Sequence, residues 1–143
     1  MKYLTAFTAA LALCAGFASV RAQAQTVADS RADFAHRLYA SAPADVHHQA
    51  PQPLLRAVVV LRVRLGDGGC WQAEVLRDNP LRPELTRKAL DSVARVSVPH
   101  DLPDAWPEAL REELRVNGFV EAWLFEDDGR FALKTLARPQ KGG

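Results

Sequence analysis

Cysteine is scarce in this chain, which has 2 among 143 residues. Cys14 lies in a leader segment that we expect to be removed, so Cys70 is the one thiol expected in the mature protein. A lone thiol cannot form an intramolecular disulfide, and this excludes the disulfide-stapled class of small secreted proteins. Cys70 is then either buried and inert, which we favour, or free to cross-link two copies into a homodimer.

An excess of either charge is also absent. Lysine and arginine total 18 against 17 aspartates and glutamates, and the formal net charge is +1. Loss of residues 1–24 would remove Lys2 and Arg21 but no acidic residue, which changes the net charge to −1. Since nucleic-acid binding depends on neutralising several phosphates, we expect no nucleic-acid partner.

No hydrophobic run is long enough for a secure membrane span. The amino-terminal run, Leu4–Val20, is interrupted by threonine, glycine and serine, whereas a span needs roughly 20 apolar residues. Lys2 precedes this run and the small-residue site Ala22–Ala24 follows it. This order is typical of a secretory signal peptide and predicts a periplasmic or secreted mature protein that begins at Gln25. The alternative is that the segment is retained as an inner-membrane anchor facing the periplasm.

Recognisable catalytic and metal-binding patterns are missing. His47 and His48 are adjacent, but neighbouring residues of an extended segment point in different directions, and no cysteine lies near them. Ser92 is expected on the polar face of a helix and Cys70 beside a turn, and neither lies in a nucleophile motif. Gly66–Gly69 lacks the lysine and hydroxyl residue of a phosphate-binding loop. We therefore expect a non-enzymatic protein with no metal, no cofactor and solvated linker histidines.

Residues 25–54 are expected to form an amino-terminal helix and a linker that precede the main domain. Between Asp29 and Ala42, apolar residues recur every three or four positions, which predicts a short amphipathic helix. Asp29 or Ser30 can cap it through a side-chain oxygen. The linker Ser41–Pro53 contains three prolines and is expected to be extended.

A β-hairpin is predicted over Ala57–Arg77, with Gly66–Gly69 as its turn. Apolar residues alternate along both arms, and pairing their like faces fixes the register. The predicted opposite pairs are Leu61 with Val75, Val63 with Ala73, Leu65 with Trp71, and Arg62 with Glu74.

An amphipathic helix is predicted from Pro83 to Val96, because its apolar residues fall on one stripe. Proline suits the first turn of a helix, and Pro99 ends it. A shorter second helix is expected over Glu108–Leu114, stopping at Asn117 and Gly118.

The second predicted hairpin joins Phe119–Phe125 to Arg130–Leu136 through the turn Glu126–Gly129. Its register places Phe125 opposite Phe131 and Trp123 opposite Leu133, which gathers aromatic side chains on one face. The last residues, 137–143, are expected to be a flexible tail.

The order of these elements resembles the carboxy-terminal domain of the TonB family of energy transducers. The resemblance covers residues 55–136. Its carrying residues are Val58–Leu65, the turn Gly66–Gly69, Trp71–Leu76, and the helix Leu85–Val93. It implies an α+β fold in which two antiparallel hairpins form one sheet packed against an amphipathic helix.

The chain departs from the family by lacking a secure anchor, a long Pro-Lys or Pro-Glu spacer, and a tyrosine-proline entry to the first strand. The resemblance therefore implies the domain and its mode of contact, an exported periplasmic interaction or adaptor module, and not energy transduction itself. The implied contact is a β-edge that pairs with an extended peptide of another envelope protein. The candidate edge residues are Arg130, Phe131, Ala132, Leu133, Lys134, Thr135 and Leu136.

A second hypothesis is a small secreted ligand-binding protein with an aromatic-lined pocket. Its lining would come from Trp71, Trp123, Phe125 and Phe131, on the face between the sheet and the helices. Aromatic residues in such positions are more often core than pocket lining, so the interaction module is preferred.

Overall fold

The computed structural model describes residues 25–98 and 105–139. The proposed signal peptide, Cys14, Pro99, His100 and the end of the tail lie outside the described residues. The described part is an α+β fold of three α-helices and a four-stranded antiparallel sheet. The elements are α1 (Val27–Ser41), a 3-10 turn (Pro43–Asp45), β1 (Ala57–Leu65), β2 (Trp71–Arg77), α2 (Pro83–Ala94), α3 (Glu108–Val116), β3 (Phe119–Phe125) and β4 (Phe131–Leu133).

The strands are ordered β2-β1-β3-β4, so β1 and β3 are central and the two hairpins lie side by side. Both hairpin registers are as predicted, including Leu65 opposite Trp71 and Phe125 opposite Phe131. The predicted fourth strand was too long, because β4 ends at Leu133 and residues 134–136 turn away.

The helices cover one face of the sheet, and the core lies between the two layers. Every second residue of β1, from Ala57 to Leu65, is buried. The rings of Phe34, Trp71 and Phe119 meet edge to face with centroids 5.3–5.7 Å apart. These aromatic contacts join α1 to two different strands and fix the helix over the sheet.

Helix α1 begins earlier than predicted, since its cap is Thr26 and not Asp29 or Ser30. The Thr26 hydroxyl accepts a hydrogen bond from the Asp29 N–H, and the Asp29 carboxylate accepts one from the Thr26 N–H. This reciprocal pair satisfies two amides at the helix start. Ser30 is instead buried, with its hydroxyl bonded to the Thr26 carbonyl oxygen.

Helix α2 presents Ser92 to the core, whereas the sequence placed this residue on the polar face. Ser92 is 3% exposed, and its hydroxyl oxygen accepts a hydrogen bond of 2.9 Å from the indole N–H of Trp123. The same hydroxyl donates to the Ala89 carbonyl oxygen at 2.6 Å. The bond therefore ties α2 to the central strand β3.

Candidate interaction edges of the sheet

The sheet has two margins, and the one at β4 is occupied by the chain itself. The His47 N–H donates to the Phe131 carbonyl oxygen at 2.7 Å, and Val46 forms a parallel bridge with Phe131. The Leu133 N–H donates to the hydroxyl oxygen of Tyr39 at 2.9 Å. The linker and α1 thus satisfy outward-facing backbone groups that an incoming peptide would need.

The seven candidate edge residues serve mainly the core and the local turn. Phe131, Ala132 and Leu133 are all buried. The exposed Arg130 forms an ion pair with Asp128. The last three residues of the set follow the strand: the Lys134 and Thr135 amides bond to the Ala122 carbonyl and the Glu121 carboxylate, and the Leu136 amide bonds to Leu133. As a docking edge, this segment has few free backbone groups.

The opposite margin, at β2, is open. Antiparallel ladders alternate hydrogen-bonded pairs with pairs whose backbone groups point away from the partner strand. The Gly66 N–H donates to the Cys70 carbonyl oxygen, which marks that pair as hydrogen-bonded. By alternation, the outward-facing N–H and C=O groups of β2 belong to Trp71, Ala73 and Val75. No strand among the described residues pairs with this side of β2.

Apolar side chains are exposed along the open margin. Val75 is 39% exposed, Leu76 is 45% exposed, and Leu81, just beyond the strand, is 87% exposed. The register jumps after Val75, where Arg77 lies opposite Val60, so a bulge ends the regular ladder. The usable edge is therefore short and runs from Trp71 to Val75.

Cys70 directly precedes this edge and is exposed. The expectation that this thiol is buried was therefore wrong. Sequence alone could not decide the matter, because a residue beside a glycine-rich turn can point either way. An exposed thiol at the start of β2 is accessible to reagents and to a second copy of the chain.

Three histidines lie around one cleft of about 220 Å³, and one of them is distant in sequence from the adjacent pair His47 and His48. His36 of α1 joins His47 and His48 there, although the sequence offered no link between them. His47 is not a solvated linker residue: its side chain is 11% exposed, and its Nδ1 lies 3.6 Å from Oε1 of the buried Glu126. No group of three metal-ligating side chains with metal-site geometry occurs among the described residues.

Tyr39 lines the same cleft and connects it to the β4 margin. Burial raises the pKa of the Tyr39 hydroxyl above its ordinary value of 10.0, while the hydrogen bond from the Leu133 amide acts in the opposite direction. The hydroxyl is therefore a neutral acceptor for the strand at ordinary pH.

Two buried carboxylates were missed by the sequence analysis. Glu121 and Glu126 are each 2% exposed, and one oxygen of each lacks a hydrogen-bond partner among the described residues. Glu121 lines a cleft of about 550 Å³ together with Arg31 and Lys134. The sequence contains a signal for the burial of Glu121, because this residue alternates with Phe119 and Trp123 on the buried face of β3. Glu126 has no such signal, because it follows the strand.

The four aromatic side chains of the ligand-binding hypothesis lie in the core. Trp123, Phe125 and Phe131 are 0% exposed and Trp71 is 9% exposed. None of them lines the clefts around the three histidines or beside Glu121.

Within residues 25–98 and 105–139, no helix has the length and apolar character that a membrane crossing requires. Comparisons of the chain with protein-family models, with curated proteins and with solved structures each gave no match.

Proposed function

We propose that this chain is an exported, non-enzymatic interaction module of the TonB carboxy-terminal type. In this proposal it works in the periplasm, where the outer edge of β2 pairs with an extended segment of another envelope protein. The observation that carries the proposal is the backbone edge at Trp71, Ala73 and Val75, which no strand among the described residues pairs with.

The contrast between the two margins supports this choice of edge. At β4, the chain bonds to its own outward-facing groups through His47 and Tyr39. At β2, the outward-facing groups lie beside the exposed apolar side chains of Val75 and Leu76. Free edge strands are templates for pairing with another chain, and natural proteins usually cover or charge those that have no partner. Of the two margins in the described part of the sheet, the one at β2 has both outward-facing backbone groups without a strand partner and exposed apolar side chains.

Photo-crosslinking from Cys70 tests the proposal. A benzophenone attached to this thiol lies at the start of the edge and should capture a partner from periplasmic extract of the source cells. Ala73→Pro removes an outward N–H but no bond to β1, since Ala73 lies in a pair without ladder hydrogen bonds. We expect this variant to fold and to lose capture.

Val116→Lys is the matched control, because Val116 is 55% exposed on α3, away from the edge. Capture by this variant should equal that of the unmodified protein. Equal capture by Ala73→Pro, with its far-ultraviolet circular dichroism unchanged, would contradict the proposal. So would the absence of any captured protein.

A further inference from the structure

We propose that two copies of this chain pair through their β2 edges in one antiparallel register, with Ala73 of one copy opposite Ala73 of the other. This inference rests on the same edge as the proposed function and names a second occupant for it, another copy of the chain, which competes with the envelope-protein segment for the same backbone groups. The two sheets would join into one continuous sheet, with the helices of both copies on the same face.

The backbone favours this register. A two-fold axis perpendicular to the sheet pairs each outward-facing residue with another outward-facing residue. Centring on Ala73 pairs Trp71 with Val75, Ala73 with Ala73 and Val75 with Trp71, which uses all the outward-facing residues of the regular ladder. Centring on Glu74 or Val75 would move one end of the pairing past the bulge that follows Val75.

The side chains favour the same register. On the helix-covered face, Trp71 of one copy would cover Val75 of the other, which is 39% exposed in the single chain. On the open face, the amide of Gln72 would lie opposite the carboxylate of Glu74, where it can donate a hydrogen bond. Centring on Glu74 would instead place two glutamates directly opposite each other, and like charges in that position are destabilising.

Single-cysteine variants in a Cys70→Ser background test the register. Paired residues have Cα atoms about 4.5–5.5 Å apart. This lies within the disulfide window of about 4.4–6.8 Å. Residues displaced by two positions lie about 7–8 Å apart, beyond that window. On mild oxidation, Ala73→Cys should cross-link to itself.

Gln72→Cys and Glu74→Cys should each form no disulfide-linked dimer alone and should cross-link to each other when mixed. Val116→Cys is the control for random collision and should give only background cross-linking. Circular dichroism of each variant checks the fold. Strong self-linkage of Glu74→Cys, or equal linkage at every position, would overturn the proposed register.

The unaltered sequence provides an independent readout through a spin label on Cys70. In the proposed register, Cys70 lies opposite Leu76 of the second copy, so the two Cys70 residues are six positions apart, or about 20 Å. Centring on Glu74 would give about 27 Å. A dipolar distance near the shorter value supports the proposal, and a chain that stays monomeric by sedimentation velocity overturns it.

These outcomes are separate from those of the proposed function. A monomeric chain whose Ala73→Pro variant still loses partner capture would refute the homodimer and leave the peptide-pairing function intact. A dimer with the expected distance between the two Cys70 residues but no captured envelope protein would refute the peptide-pairing function and leave the homodimer intact.

Discussion

The buried hydrogen bond between Trp123 and Ser92 allows a quantitative test of how α2 is attached to the sheet. Ser92→Ala removes the only acceptor that the described residues offer to the indole N–H at hydrogen-bond distance, 2.9 Å. Trp123 is 0% exposed, so water cannot replace the lost partner without a rearrangement of the core. The substitution leaves the helix backbone and nearly all of the side-chain volume unchanged.

The expected loss of stability in Ser92→Ala is the cost of the unsatisfied donor minus the gain in helix propensity. An unsatisfied buried donor costs about 1–3 kcal/mol. Alanine is a better helix former than serine by roughly 0.5 kcal/mol, which offsets part of that loss. We therefore expect the free energy of unfolding to fall by about 1–2 kcal/mol. For a domain of this size, the melting temperature should fall by roughly 4–10 °C.

Urea unfolding followed by circular dichroism measures this loss. Ser97→Ala, at an exposed serine, is the matched control and should change the stability little. Trp123→Phe removes the donor itself, so Ser92→Ala added to that background should cost clearly less. An equal loss in both backgrounds, or no loss in either, would refute the assignment of the stability to this bond.

Two further predictions concern a turn and the β4 margin. Gly118 has a φ of 59°, and a Cβ there would overlap the Val63 carbonyl oxygen. At Gly129, an added Cβ meets open space. Gly118→Ala should therefore destabilise the protein more than Gly129→Ala. Chemical unfolding of both variants measures the difference, and equal stabilities would contradict it. Tyr39→Phe removes the acceptor of the Leu133 N–H and should speed exchange of that amide. Because the pKa of Tyr39 is raised in the folded state, the neutral hydroxyl stabilises the protein fully below pH 10.0, and this contribution is lost as the pH rises through the folded-state pKa. The free energy of unfolding of Tyr39→Phe should therefore lack this decrease at alkaline pH.

The hairpins were predictable because two local signals agreed. Alternation of apolar residues sets the two faces of each strand, and the glycine-containing turns set which residues face each other. The pairing of Leu61 with Val75, for example, follows from these signals alone and is present in the structure. The order of the strands was not predictable in this way, since a hairpin pattern does not specify which of its strands meets the other hairpin.

Ser92 was placed on the wrong face of its helix because the prediction followed its residue type and not its spacing. Ser92 lies three residues after Ala89 and seven after Leu85, so its spacing places it on the buried stripe of α2. Its hydroxyl suggested the polar face, and the tryptophan that satisfies it comes from a distant strand. The occupied β4 margin is similar, because Tyr39 and His47 reach β4 from segments more than eighty residues earlier in the chain.

The central position of β1 also determines when the protein can fold. Its second neighbour, β3, begins at Phe119, close to the carboxyl terminus, whereas its first neighbour, β2, follows it directly. Without β3, the inner side of β1 has no strand partner, and its backbone groups form a free edge. A polypeptide that emerges amino terminus first from a ribosome or a translocation channel therefore keeps this inner edge of β1 unpaired until residues 119–125 are free. Premature termination before Phe119 would leave a fragment open to proteolysis.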